Sequence, residues 1–432
     1  MLAHVRHLAT DALAEVGHGQ LADGERLEDA QSLGISQCAT DGRITQPLGF
    51  GRHRKAIQHP GNGITACANT QVPWRVVGSG ATGTECILRT MTDTIELDVS
   101  LAEIAAARER VAPVVHRTPL LTSTTAATWT TAATGVRLAE DRLYLKAEHL
   151  QKTGSFKARG MSNRIMTLDP EDARRGAITL SAGNAGQAYA WAGRTAGVAV
   201  TVCMPANAVR SKVEACRGYG ARVVLHGTHV GETLAELERI RAEEGLVMCH
   251  PFDDPAVIAG HGSIGLELLE DLPEVDVVVV GVGGGGLISS VAAALKSRSP
   301  SVRVYGVEPE RSNAVSLALE RNDVVRIQPE SVADGLGAPF AGTWTMAMCR
   351  RYLDGIVLLD DSTILAGLRF AVERLKQVVE PAGAAALAAV LSGRIPIRDR
   401  ERVAVVVSGG NVEVGRLGAL LEAAGTLSGA TA

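Results

Sequence analysis

No apolar run in this 432-residue chain approaches the roughly twenty residues needed to span a bilayer, and the N-terminus lacks the basic-then-apolar pattern of an export signal. A cytoplasmic protein with no membrane partner is therefore expected. Nor is there a field of one charge. The 43 Lys and Arg are interspersed with 47 Asp and Glu, for a net charge of −4, so nothing offers a basic surface to a phosphate backbone and nucleic acid is not an expected partner. The seven cysteines (Cys38, Cys67, Cys86, Cys203, Cys216, Cys249, Cys349) have neither CxxC spacing nor an even framework. That argues for reduced thiols and against zinc, and no metal is assigned. Sustained periodicity is missing from residues 1–90, where only 10–16 hint at a helix. Met91 is followed by an acidic, strand-like 94–99, after which the pattern becomes regular. Residues 1–90 thus read as an irregular leader outside the native protein, with the natural start at Met91; a genuine flexible extension is the alternative.

What is present begins with Ser100 and Glu103, a capping box that opens a helix over 101–111, which Pro113 closes. After an extended 117–120, continuous apolar runs suited to doubly buried parallel strands occur at 143–147, 177–180, 198–204, 222–225, 275–280, 302–307, 355–359 and 403–407. Helical segments lie between them, among them 155–168, 185–196, 209–219, 231–244 and 287–296. This alternation is that of a doubly wound α/β protein with mainly parallel sheets. The expected division is a catalytic region over 91–428 with a smaller α/β subdomain at about 177–249.

Three strand-to-helix junctions carry chemistry. Lys157 stands at a helix start, and burial near Phe156 or the neighbouring cation Arg159 would lower its pKa and make it a Schiff-base nucleophile. Gly281-Val282-Gly283-Gly284-Gly285-Gly286 follows a strand and precedes a helix, so its amides and the helix dipole would cup a phosphate. No Lys-Ser/Thr follows, which excludes a Walker loop. Ser181-Ala182-Gly183-Asn184 forms a second such turn, able to bind a carboxylate, and Ser408-Gly409-Gly410-Asn411 a third, whose Ser408 offers a neutral hydroxyl to a ring nitrogen. An amine, a phosphate cup and a carboxylate loop at the ends of parallel strands together suit pyridoxal phosphate acting on an amino acid.

From about Met91 onward the chain resembles the fold-type II pyridoxal-phosphate enzymes, the tryptophan synthase β-like group, and most closely the serine/threonine dehydratases to which serine racemase is related. The resemblance rests on His116-Arg117-Thr118-Pro119-Leu120, Lys146-Ala147-Glu148-His149-Leu150-Gln151, Thr153-Gly154-Ser155-Phe156-Lys157-Ala158-Arg159-Gly160 and Ser181-Ala182-Gly183-Asn184. It continues through His250-Pro251-Phe252-Asp253-Asp254, the glycine run, Asp334-Gly335-Leu336, Glu380-Pro381-Ala382-Gly383-Ala384 and Ser408-Gly409-Gly410-Asn411.

The resemblance implies two domains and the following roles. Lys157 carries the cofactor and Phe156 packs against it; Asn184 meets the ring 3-oxygen. Gly283, Gly284, Gly285, Gly286 and the Leu287 amide hold its phosphate, Gly335 faces the ring and Ser408 partners the ring nitrogen. Ser181, Ala182, Gly183 and Asn184 bind the substrate carboxylate, and Asp334 lies near the substrate hydroxyl. The implied activity is that of an ammonia-lyase on L-threonine or L-serine, the alternatives being a racemase or a hydroxyaspartate ammonia-lyase. A homo-oligomer, dimer or tetramer, is also implied. In the resembling racemases a serine hydroxyl matches Ala182. Ala185 replaces the family's usual histidine and His261 its glutamine, while Glu308 matches the first carboxylate of a cation site whose second position is Ala314. From other classes, a catalytically silent small-molecule binding protein is an alternative, and a dinucleotide dehydrogenase lacks an early strand-linked G-x-G-x-x-G followed by a ribose-binding acid and leaves Lys157 without a role.

Overall fold

The computed structural model describes residues 97–425. The leader over 1–90, its helical hint and the start at Met91 lie outside the described residues. Of the strand expected over 94–99, the described part, 97–99, is not in a strand. Asp98 instead accepts the Tyr352 hydroxyl at 2.6 Å, and Val99 is buried beside Ile104 and Ile258. The capping box forms as expected: the Glu103 amide donates to Ser100 Oγ at 3.3 Å and the Ser100 amide to the Glu103 carboxylate at 2.8 Å, opening the helix Leu101–Val111.

The described strands are β1 (Leu120–Ser123), β2 (Leu143–Lys146), β3 (Ala177–Leu180), β4 (Val200–Met204), β5 (Arg222–Leu225), β6 (Val247–Met248), β7 (Val277–Gly281), β8 (Arg303–Pro309), β9 (Gly355–Leu359) and β10 (Val403–Val406). They form a six-stranded sheet in the order β1-β2-β10-β7-β8-β9 and a four-stranded one in the order β5-β4-β3-β6. Every pairing is parallel except β1 on β2. The segment over 117–120 reads only as extended because its antiparallel partner lies beyond the next helix. At two residues, β6 is too short to carry a pattern.

Both faces of the larger sheet are covered, which explains the unbroken valine runs of β7 and β10. Val277, Val279, Val403 and Val405 pack on one face with the alanine-rich helix Pro381–Leu391. Val278, Val280 and Val406 pack on the other with Ile288 and Val291 of the helix Gly286–Arg298. The smaller sheet lies in sequence between β2 and β7, so the chain leaves the larger sheet through the helix Lys157–Met166 and returns through the helix Pro255–Asp271, against which it packs. The C-terminal ends of the parallel strands deliver the loops that carry the chemistry.

Candidate active site

The helix expected from Ser155 starts at Lys157, because Ser155 is taken by an isolated β-bridge and Phe156 is the N-cap. Ser155 forms an antiparallel bridge with Gly409, the Phe156 amide donates to the Ser408 carbonyl at 3.0 Å, and the Gly410 amide donates to the Gly154 carbonyl at 2.9 Å. Two turns more than 250 residues apart are thereby fixed side by side, as the Asn411–Thr153 separation of 258 positions measures. Lys157 and Phe156 are partly exposed, as cleft-lining residues are. The Lys157 Nζ lies 5.1 Å from the Phe156 ring centroid and donates to the Pro251 carbonyl at 2.8 Å. Burial lowers its pKa to about 8.

Arg159 is not the cation that lowers Lys157. It is fully buried and held by Glu148 at 2.8 and 2.9 Å and by Glu267 at 2.7 and 2.9 Å, with Lys146 also on Glu267 at 2.7 Å. The two carboxylates raise Arg159 despite its burial, and its charge is spent on them. Lys157 is lowered by burial alone.

The glycine run is built for close approach. Gly285 has φ +91°, a conformation side chains rarely adopt, and a Cβ on Gly284 would come within 2.5 Å of the Phe252 ring. The helix that follows, Gly286–Arg298, has no side-chain cap, so the amides at its N-terminus, Leu287 among them, are left for an anion. Gly283 is tied to the next loop, since its Cβ would lie 3.3 Å from Leu336 Cα and 3.5 Å from the Gly335 carbonyl. Gly335 is exposed and offers a face without a side chain.

Ser181, Ala182, Gly183 and Asn184 are partly exposed at the start of the helix Asn184–Ala196, which also lacks a side-chain cap. The Gly183 amide donates to Ser181 Oγ at 3.2 Å, shaping the turn. Ser408 is buried at the end of β10, its hydroxyl 3.4 Å from the Ala382 carbonyl, a long contact that leaves it able to pair elsewhere. Asp334 is exposed yet occupied: Lys212 donates to it at 2.7 Å and Arg416 at 3.3 Å, and against the desolvation of its surroundings these cations hold it below the ordinary carboxylate range.

Sequence reasoning left Glu380, Asn411 and His250 out of the site. Glu380 accepts Asn184 Nδ2 at 2.6 Å, and Asn411 Nδ2 donates to Asn184 Oδ1 at 2.9 Å. Both lie in stretches that carry the resemblance, and a glutamate just before the proline of an apolar helix was the available signal. His250 precedes the carbonyl that takes Lys157; its Nδ1 accepts the Asp253 amide at 2.8 Å, and burial pushes it down to about 3. His261 is fully buried, accepts the Gly160 amide at 3.2 Å and stands edge-on to Phe156 at 4.7 Å, while Ala185 is buried in the helix beyond Asn184. Glu308 accepts the Val315 and Ser316 amides at 2.8 and 2.9 Å, and burial nevertheless pushes it up to about 7. That role is a cap for the helix Ala314–Arg321.

These residues fit pyridoxal phosphate: a lowered amine, bare amides on a glycine cup, a side-chain-free face at Gly335 and a neutral hydroxyl at Ser408. Comparison with known proteins agrees. The chain is 40% identical to the L-threonine ammonia-lyase of Thermotoga maritima over 317 residues, 73% of this chain and 76% of that protein. A catabolic L-threonine dehydratase of Staphylococcus aureus is 36% identical over 338 residues, covering 77% of this chain and 95% of its own length. Among solved structures, maize serine racemase superposes with a TM-score of 0.70 at 34% identity, over 75% of this chain and 97% of that one. Threonine deaminase isoform 2 from Solanum lycopersicum gives 0.70 at 32% identity, over 77% and 89%. The family described as pyridoxal-phosphate dependent enzyme matches residues 111–409, from the end of the first helix to the turn that braces Lys157, and the chain belongs to that family with pyridoxal phosphate as its cofactor.

Proposed function

We propose that the protein is a dehydratase, an ammonia-lyase that converts L-threonine or L-serine to a 2-oxo acid and ammonia. The observation that carries this reading is one lowered amine, Lys157, in a cleft whose carboxylate loop presents a methyl group at Ala182. When bound, pyridoxal phosphate supplies a carbonyl for the substrate amine and a sink for the electrons released at Cα. Lys157, with its amine near 8, is the base for the α-proton, because a useful fraction is neutral at physiological pH. The uncapped amides around Gly183 hold the substrate carboxylate and orient the Cα–H bond. The β-hydroxyl departs with a proton as water, and the released enamine is hydrolysed to the 2-oxo acid and ammonia.

Racemisation needs a second acid on the other face of Cα, and a methyl at Ala182 cannot donate a proton. Incubation with L-serine and L-threonine followed by 2-oxo acid assay and chiral chromatography tests the reading. Pyruvate or 2-oxobutyrate with negligible D-amino acid is expected. D-Serine accumulating at a rate comparable with pyruvate overturns it in favour of a racemase.

The same reading takes the site residues in the roles the resemblance implies and places the enzyme in the cytoplasm as a homo-oligomer. In support, Cys203, Cys216, Cys249 and Cys349 are buried free thiols, and no helix of the described residues is long and apolar enough to cross a membrane. Analytical ultracentrifugation of the purified protein measures the assembly.

A further inference from the structure

We infer that Glu380 and Asn411 are positioning residues that lock the side-chain amide of Asn184, leaving a single Nδ2 hydrogen for the ring oxygen of the cofactor. This rests on the reading that Asn184 meets the ring. An asparagine amide has two hydrogens to donate on nitrogen and an oxygen that accepts. Asn411 Nδ2 spends both of its hydrogens, one on the Thr153 carbonyl at 2.7 Å and one on Asn184 Oδ1 at 2.9 Å. Asn184 Oδ1 is therefore an occupied acceptor. On the other side, Glu380 Oε1 takes one Asn184 Nδ2 hydrogen at 2.6 Å, at the short end for an amide donor. Flipping the Asn184 amide would set nitrogen against nitrogen and oxygen against oxygen, losing both bonds. One orientation remains, with one N–H unspent.

Both partners are themselves anchored. Glu380 is 3% exposed; its amide donates to the Gly409 carbonyl at 3.1 Å and its carbonyl accepts the Gly383 and Ala384 amides at 2.9 and 3.1 Å. Its carboxyl fits only because residue 409 is glycine, whose Cβ would overlap Glu380 Oε1. Asn411 reaches the backbone four residues before Lys157, so one network joins the amide, the lysine segment and the turn after β10. Burial pushes the Glu380 carboxyl up to about 7, the Asn184 hydrogen bond, Lys212 and Arg416 opposing the rise and Asp334 adding to it. Either ionisation state keeps an acceptor oxygen for Asn184.

The test uses the purified holoenzyme and reads the visible absorption band of the bound cofactor, its dissociation constant after resolution and reconstitution, and the melting temperature. Glu380→Leu and Asn411→Ala are each expected to shift the band and to weaken cofactor binding about tenfold, the size of one lost hydrogen bond to a charged or tightly held group. Glu380→Gln retains an acceptor and should restore the wild-type band, and the Asn184→Ala background separates orientation from packing. In an Asn184→Ala background, Glu380→Leu should change neither readout, since no amide is left to orient. A wild-type band and affinity in both Glu380→Leu and Asn411→Ala, with Asn184→Ala altered, overturns the inference and leaves the reading of Asn184 standing. A wild-type band and affinity in Asn184→Ala overturns both. If Glu380→Leu does not fold, Asn411→Ala decides alone.

Discussion

Lys157 opens its helix with an amine near 8 where an ordinary lysine sits near 10.5. Only the unprotonated amine attacks a carbonyl, so the capture of pyridoxal phosphate by the apoprotein should accelerate as pH rises and level off above about 8. Stopped-flow absorbance between pH 6 and 10 reads the midpoint, and one near the ordinary lysine value would show that the amine is solvated. Lys157→Ala should keep the far-ultraviolet circular dichroism of the wild type and lose turnover. Two positions on, Arg159→Met would strand the buried carboxylate of Glu148 and leave Glu267 to Lys146 alone, and breaking such a buried pair costs about 3–5 kcal/mol. Urea unfolding at fixed cofactor concentration measures it. The place of Lys157 at a helix start was legible in the run just before it, whereas its reading as the reactive amine rested on the glycine cup and the carboxylate loop farther along the chain. The part played by Arg159 was not, since one of the carboxylates that neutralise it lies 108 positions away.

The strand-to-helix turns were the most readable elements. Buried parallel strands announce themselves as valine runs, and a run of glycines after one leaves the chain little to do except approach something closely. The helix starts after β3 and β7 fall within one residue of the expected positions. Elements defined by their partners were harder: β1 exists through its antiparallel pairing with β2, and residues 155–156 through their pairing with 408–409. Glu380 and Asn411 escaped notice for the same reason, since each acts on Asn184 across a gap in sequence. Within the glycine run, Gly284→Ala would drive a methyl against the Phe252 ring. Overpacking of that kind costs about 1–3 kcal/mol, so retention of cofactor should fall about tenfold with little change in secondary structure. Titration of the apoprotein with pyridoxal phosphate checks it.

Residues 97–425 close two sheets, their covering helices and the cleft within one compact unit. A chain beginning at Met91 is accordingly expected to fold and to match the full chain in turnover and melting temperature. A loss of either would give residues 1–90 a structural part. The fold class was legible because alternation of strand and helix is a global pattern, visible without knowing any contact. Strand order was not, and it has a consequence in time. β10, the last of the described strands, pairs with both β2 and β7 at the centre of the larger sheet and leads into Ser408 and the turn that braces Lys157. During synthesis, the edges of β2 and β7 wait unpaired until residues 403–411 leave the ribosome. Cofactor capture is therefore expected only once residues 403–411 have emerged, and a nascent chain stalled before Val403 should hold no pyridoxal phosphate however much of the glycine cup has already been made.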